Sequence, residues 1–137
     1  MNAVPRPAPL PPPSPTAAAH RLARMAITSL HAELACAPKP GLVTPWSRGS
    51  HDDMDAATFL RSLFALRGYF VAVAAAGARN VPFDDLRMLG IEAEASMLRA
   101  TGGINTHRGA IFSLGLLVAA SAGLRHVEHA APQGTAA

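Results

Sequence analysis

The chain is predicted to be an all-α helical bundle of about four main helices with a buried central helix, preceded by a disordered proline-rich N-terminus. Three observations carry that prediction. Aromatic residues make up 5% and charged residues 15% of the 137 positions while alanine dominates, a composition that favours closely packed helices over a sheet of β-branched and aromatic residues. Apolar residues recur at spacings of three and four in several long runs. Prolines and glycines cluster between those runs, where a chain of this length, sufficient for one core, would turn.

Residues 1–13 hold six prolines and read as a disordered or polyproline-like tail. Ser14 or Thr16 caps a first helix that runs to about Ala35, with Leu22, Met25, Ala26, Leu30 and Leu34 on one stripe and Pro38 beyond its end. The stretch PKPGLVTPWSRGSHDDMD, residues 38–55, is an irregular loop, because prolines at 38, 40 and 45 remove backbone donors and bias their predecessors away from helix. A loop this long inside a compact domain is either functional or disordered. Asp55 caps a second helix, where Phe59, Leu63, Leu66, Phe70 and Val73 repeat helically up to Gly77.

RNVPFDD is a turn, and Asp84 or Asp85 opens a third helix with Leu86, Leu89, Ala93 and Met97 facing inward, ending at Thr101-Gly102-Gly103. Asn105 or Thr106 caps a fourth helix, HRGAIFSLGLLVAASAG, which is apolar on nearly every side and is therefore expected at the buried centre of the bundle. The chain divides accordingly into a tail 1–13, a helical domain 14–123 and a C-terminal tail 124–137.

Net charge is +3 with a pI near 10.0, but eleven of the twelve basic residues are arginines scattered singly, which argues against a nucleic-acid partner and for a few phosphates on a small ligand. Cys36 is the single cysteine, so no intramolecular disulfide is expected and a reducing, cytoplasmic setting fits. A packing role is expected for it. The N-terminus lacks the apolar segment of a signal peptide, and Ala110–Gly123 runs only 14 residues against the roughly 20 that a bilayer needs, so no membrane is expected.

Three polar groups sit at helix ends. Loop 38–55 offers Lys39, Arg48, His51, Asp52, Asp53 and Asp55, which suit a ligand held by a proline-stiffened loop and equally suit a solvated connection. ATGGINTHRGA, residues 100–110, places two glycines and a capped helix start beside His107 and Arg108, an arrangement that attracts anions, although a C-cap followed by an N-cap explains the same glycines. GIEAEASM puts Glu92 and Glu94 about 200° apart around the third helix, so at most one faces inward, and a carboxylate there needs a cation, a metal or a proton. Acidic and basic side chains around an anion-binding helix start together suggest a phosphorylated ligand with Mg²⁺.

The runs PKPGLV, GSHDDMDAATFLRSLFALRGYF and LGIEAEASMLRATGGINTHRGAIFSLGLL, in this order, resemble the triphosphoribosyl-dephospho-CoA synthase family over about Leu30–Gly123, closer in spacing to the branch serving malonate decarboxylase than to the citrate lyase branch. The resemblance implies an all-helical transferase that joins ATP to 3′-dephospho-CoA with release of adenine. It matches the family at Lys39, Pro40, Gly41, Gly49, His51, Asp53, Met54 and Asp55, and again at Glu94, Met97, Thr101, Gly103, Asn105, Thr106, His107 and Gly109.

Arg108 stands where the family more often carries lysine, and Trp46-Ser47-Arg48 is unusual. The resemblance implies Asp53, Asp55 and Glu94 as Mg²⁺ ligands or charge stabilisers, His51 or His107 as base, and Lys39 and Arg108 on the triphosphate. Gly41, Thr101, Gly103, Asn105 and Thr106 complete the implied substrate contacts. Loop 38–55 and turn 101–108 are expected to line one pocket. The family's usual chain is about twice as long, so the expectation is pairing with a second copy or with a complementing C-terminal chain, the alternative being a nucleotide-binding or assembly fragment without catalysis.

Overall fold

The computed structural model describes residues 13–130, the last five as helix backbone; the expectations for 1–12 and 131–137 lie outside the described residues. Four helices make up the described architecture: α1 (Ala17–Ala35), α2 (Ala56–Ala78), α3 (Phe83–Thr101) and α4 (Arg108–Ala130). Strand geometry among the described residues is limited to a single bridge between Thr44 and Ser47. The all-α expectation holds.

The helix ends follow local chemistry. Thr16 rather than Ser14 caps α1, its hydroxyl accepting from Ala19 N–H at 3.2 Å. Asp55 and Thr58 form a reciprocal capping box at the start of α2, satisfying donors that the first turn would otherwise leave bare. The third helix starts earlier than expected, at Phe83 behind Pro82, so Asp84 and Asp85 lie in its first turn, where their charge complements the helix dipole, instead of capping it. Gly102, at φ 68°, ends α3 in the left-handed conformation that favours glycine. Asn105 is the side chain that closes α4, accepting from Arg108 N–H at 3.1 Å.

Helix α2 is the centre of the bundle. It packs against α1, α3 and α4, whereas α1 and α3 do not touch. Leu66, Phe70 and Ala74 on α2 are fully buried, joined in one core by Leu22 and Ala26, by Ala93 and Met97, and by Ile111, Val118 and Ala122. The central place expected for α4 is therefore corrected. That helix is apolar all round but has neighbours on one side: Ile111 and Val118 are buried while Leu117 and Leu124 are 63% and 68% exposed. Composition reports how many faces tolerate burial, and neighbours decide which are buried.

Close approach of α4 to α2 depends on Gly77, where a Cβ would collide with the Ala119 backbone. The fourth helix also continues through Gly123, where the domain was expected to end, to Ala130. Met25, expected on the inner stripe of α1, is 61% exposed because the seam with α2 is lined by Ala19, Leu22, Ala23 and Ala26, one position to the side. Cys36 is exposed and has no packing role. By length and composition alone, α2 and residues 108–125 of α4 could each cross a membrane; the first of these is the buried core helix of the bundle.

Helices run alternately up and down, as the buried cross-helix contacts require: Ser62 near the start of α2 meets His107 before α4, while Gly77 near the end of α2 meets Ala119. One end of the bundle thus collects the end of α1, the start of α2, the end of α3 and the start of α4. Two of the three polar groups singled out in the sequence, loop 38–55 and turn 101–108, lie at that end.

Candidate functional site

The turn between α3 and α4 is built into the core. Thr101, itself buried, lies with its hydroxyl 2.9 Å from the Met97 carbonyl and 2.6 Å from that of Ile104, and accepts the Ile104 N–H at 3.1 Å. This small network bends the chain through Gly102 and Gly103, both at positive φ. The bend drives His107 inward until it is 6% exposed. Its backbone N–H points at the Met97 sulfur at 3.2 Å, its Nδ1 lies 2.7 Å from Ser62 Oγ, and its ring meets the Phe59 ring edge-on at 5.0 Å.

Burial lowers the His107 pKa to about 4, the nearby Glu33 carboxylate partly opposing the shift. The imidazole is neutral at physiological pH. Two buried atoms here lack a hydrogen-bond partner: Nε2 of His107 and Oγ1 of Thr106.

Loop 38–55 lies at the surface. Gly41 and Gly49 both take positive φ, and a Cβ at Gly49 would sit 2.6 Å from the Gly41 backbone, so the loop doubles back where only glycine fits. Ser50 N–H donates to the Gly41 carbonyl at 3.1 Å and Thr44 N–H to that of Ser47 at 2.8 Å, leaving Trp46 at the tip 86% exposed. Val43 and Thr44 anchor the loop by burial. His51 is half-buried and Asp53 exposed.

Among the charged candidates, Lys39, Arg48, Asp55, Glu94 and Arg108 have described side-chain partners. Lys39 folds back on the C-terminal turn of α1, donating to the Glu33 carboxylate at 2.8 Å and to the Glu33 carbonyl at 2.6 Å, a favourable place for a cation. Asp55 is held below the ordinary carboxylate range, first by the Thr58 backbone N–H and then by the Thr58 hydroxyl, with Arg48, 3.9 Å away, contributing less. Glu94, half-buried on α3, pairs with Arg108 at the start of α4, and Glu92 is exposed.

The structure therefore brings His107, Thr101, Thr106, Asn105 and Arg108 together with Glu94, and sets Lys39 beside Glu33, the carboxylate that bears on His107. Asp55 caps the helix that carries Phe59 and Ser62. Asp53, Asp55 and Glu94 are not gathered: among the described residues no three His, Cys, Asp or Glu side chains group at metal-binding distance. Beside the loop is a cleft of about 330 Å³, lined by Thr44, Trp46, Arg48 and Asp55 among others but by no residue of the turn.

Sequence reasoning missed Ser62 and Glu33. Ser62 left a signal, as a hydroxyl on the inward stripe of an otherwise apolar helix. Glu33 left none.

Comparison with known proteins bears on what this end of the bundle serves. The family model described as CitG: ATP:dephospho-CoA triphosphoribosyl transferase matches residues 19–136. A probable 2-(5″-triphosphoribosyl)-3′-dephosphocoenzyme-A synthase of Acinetobacter calcoaceticus is 50% identical over 102 residues, which are 74% of this chain and 35% of that one. A protein of the same description from Lactiplantibacillus plantarum is 47% identical over 103 residues, 71% of this chain and 37% of its own. Protein CitXG of Leuconostoc mesenteroides subsp. cremoris is 46% identical over 103 residues, 71% of this chain and 22% of its own. The chain thus spans about a third of the length of the first two relatives. No solved structure matches it. A match over most of the chain, taking in both polar stretches, establishes that the chain belongs to the CitG family of ATP:dephospho-CoA triphosphoribosyl transferases.

Proposed function

We propose that this chain binds ATP at the loop end of the bundle and takes part in joining it to 3′-dephospho-CoA, giving 2′-(5″-triphosphoribosyl)-3′-dephospho-CoA and adenine. The observation that carries the reading is the placement of loop 38–55 and turn 101–108 at the same end of the bundle. In the proposed reaction the bond from ATP's ribose C1 to adenine breaks, its electron pair leaving with adenine, which takes up a proton. The 2′-hydroxyl oxygen of dephospho-CoA bonds to that carbon and gives its proton to a base.

Positive charge builds on the ribose, so carboxylates near it lower the barrier. Lys39 and Arg108 each rest on a carboxylate, and a triphosphate would displace Glu33 and Glu94 from them. Glu94 would then be free to face the sugar. His51 in the loop is proposed as the base. Gly41, Thr101, Gly103, Asn105 and Thr106 would shape the backbone around the phosphates, with the N-terminal turn of α4 contributing its dipole.

Mg²⁺ suits the oxygen donors of Asp53 and Asp55 in kind, but the carboxylates are not assembled into a cage. A metal entering with the triphosphate needs only one or two protein carboxylates, and exposed Asp53 is the proposed contact. The ion would supply charge neutralisation on the phosphates.

The product is proposed to serve as prosthetic-group precursor for the acyl-carrier subunit of malonate decarboxylase, on the strength of the motif spacing, and in the cytoplasm, which the single cysteine fits. A second reading, a nucleotide-binding or assembly piece without catalysis, is favoured by the exposed Leu117 and Leu124 of α4. On either reading the chain would pair with a second copy or with a complementing C-terminal chain. Adenine release from ATP plus 3′-dephospho-CoA, with and without a candidate second chain, tests both. Release supports the transferase; ATP binding without release in either sample supports the second reading.

A further inference from the structure

Ser62 and His107 form a buried pair whose hydrogens can be counted. Ser62 is fully buried on the central helix, and its hydroxyl has one described partner, His107 Nδ1 at 2.7 Å. If Nδ1 carried the imidazole proton, it would donate to Ser62 Oγ and leave the serine O–H without an acceptor and Nε2 without a donor. If Nδ1 is instead the acceptor, Ser62 O–H and Nδ1 satisfy each other, and a single unmet group remains, an N–H at Nε2. Each unmet buried polar group is costly, and the first arrangement leaves two where the second leaves one, so the second is the one this pocket favours.

We infer that Ser62 is a positioning residue that fixes His107 as its Nε2–H tautomer, making the buried ring a hydrogen-bond donor to an oxygen of the bound nucleotide rather than a base. The inference rests on the proposal that this end of the bundle binds a nucleotide. Three further observations fit it. Nε2 is buried without a partner, in a residue only 6% exposed, and so awaits an acceptor. The Phe59 ring edge and the Met97 sulfur hold the imidazole in one orientation. Burial keeps the ring neutral across the physiological range, against the weaker opposing pull of Glu33 of α1, which Lys39 already binds.

The test is the tautomer of His107 in the full chain labelled with ¹⁵N-histidine, assigned by the signal lost in His107→Gln, with ATP as probe. Long-range ¹H–¹⁵N correlations from pH 5.5 to 8 are expected to display a neutral ring with the proton on Nε2, and ATP is expected to shift that nitrogen. Ser62→Ala should give mixed tautomers and about tenfold weaker ATP binding, and Ser62→Thr, which restores the hydroxyl, should return both.

A proton on Nδ1 in the free wild-type chain overturns the inference, even if ATP binds. The wild-type tautomer is read without Ser62→Ala, so a failure of that variant to fold would not weaken the test. ATP that binds without moving Nε2 also overturns it. Absence of ATP and dephospho-CoA binding, with the tautomer as stated, instead overturns the nucleotide reading on which its ligand depends.

Discussion

The two polar stretches at one end of this bundle are held in opposite ways. Turn 101–108 is plugged into the core by His107, Thr101 and the Met97 sulfur, so its geometry is set by packing. Loop 38–55 lies outside, shaped by two positive-φ glycines and backbone hydrogen bonds and anchored by Val43 and Thr44. If the two stretches form the one site proposed, it combines a rigid wall with an adaptable one: buried groups are placed before a ligand arrives, and exposed Asp53 is free to reach it.

If that contrast is right, the turn should be the costly place to mutate. His107→Ala removes a buried ring and leaves Ser62 without its partner, with an expected loss of about 3 to 4 kcal/mol in urea unfolding. Trp46→Ala at the loop tip is expected to change stability by less than about 0.5 kcal/mol. Equal losses at the two positions would erase the distinction.

Acid should strike the turn next. The unfolded chain protonates His107 near 6.5, and the folded chain resists until about 4, so between those values the unfolded state binds more protons. Stability is therefore full above pH 6.5 and declines as pH falls towards 4, by on the order of 2 to 3 kcal/mol, then levels off with respect to this group. Unfolding of His107→Gln should lack that segment of the pH profile. Asp55, held below its usual 3.8, contributes in a lower window: its stabilisation is present above that value and is lost as pH falls further.

Gly49→Ala sharpens the picture from the loop's side. A Cβ in this left-handed position, against the Gly41 backbone, is expected to cost about 1 to 2 kcal/mol, confined to the loop. Hydrogen exchange should quicken at Ser50 and Thr44 amides while α2 and α4 core amides stay protected. Smallest of all in stability is Asp53→Asn, within about 0.5 kcal/mol of wild type, because the side chain is exposed. Its expected effect is on adenine release and on the Mg²⁺ dependence of that release, measured in an active assembly.

Helix positions were legible because their punctuation is local: Thr16, Asp55 and Gly102 cap where short-range chemistry says they should. Which helix would be central was not legible. Residues 108–125 are apolar on nearly every face, but α2 is no less apolar, and the middle place depends on who packs against whom: small residues such as Ala74 and Gly77 let the neighbours of α2 close in. Of the site, His107, Asn105 and Arg108 could be picked out beside their glycines. The pairing of His107 with Ser62, 45 positions earlier, and the closeness of Glu33 arise only when α1 and α2 pack, and no spacing along the chain encodes them.

The central claim is that the rigid turn and the exposed loop belong to one nucleotide site. Backbone amide shifts of the ¹⁵N-labelled chain, followed as ATP and Mg²⁺ are added, test it most directly. Saturable shifts with a common affinity, concentrated in residues 39–55 and 101–108, are the predicted result. Shifts confined to one stretch, or lying instead along the α1–α2 face around Arg24, Phe64 and Arg67, where a separate groove runs, would contradict it.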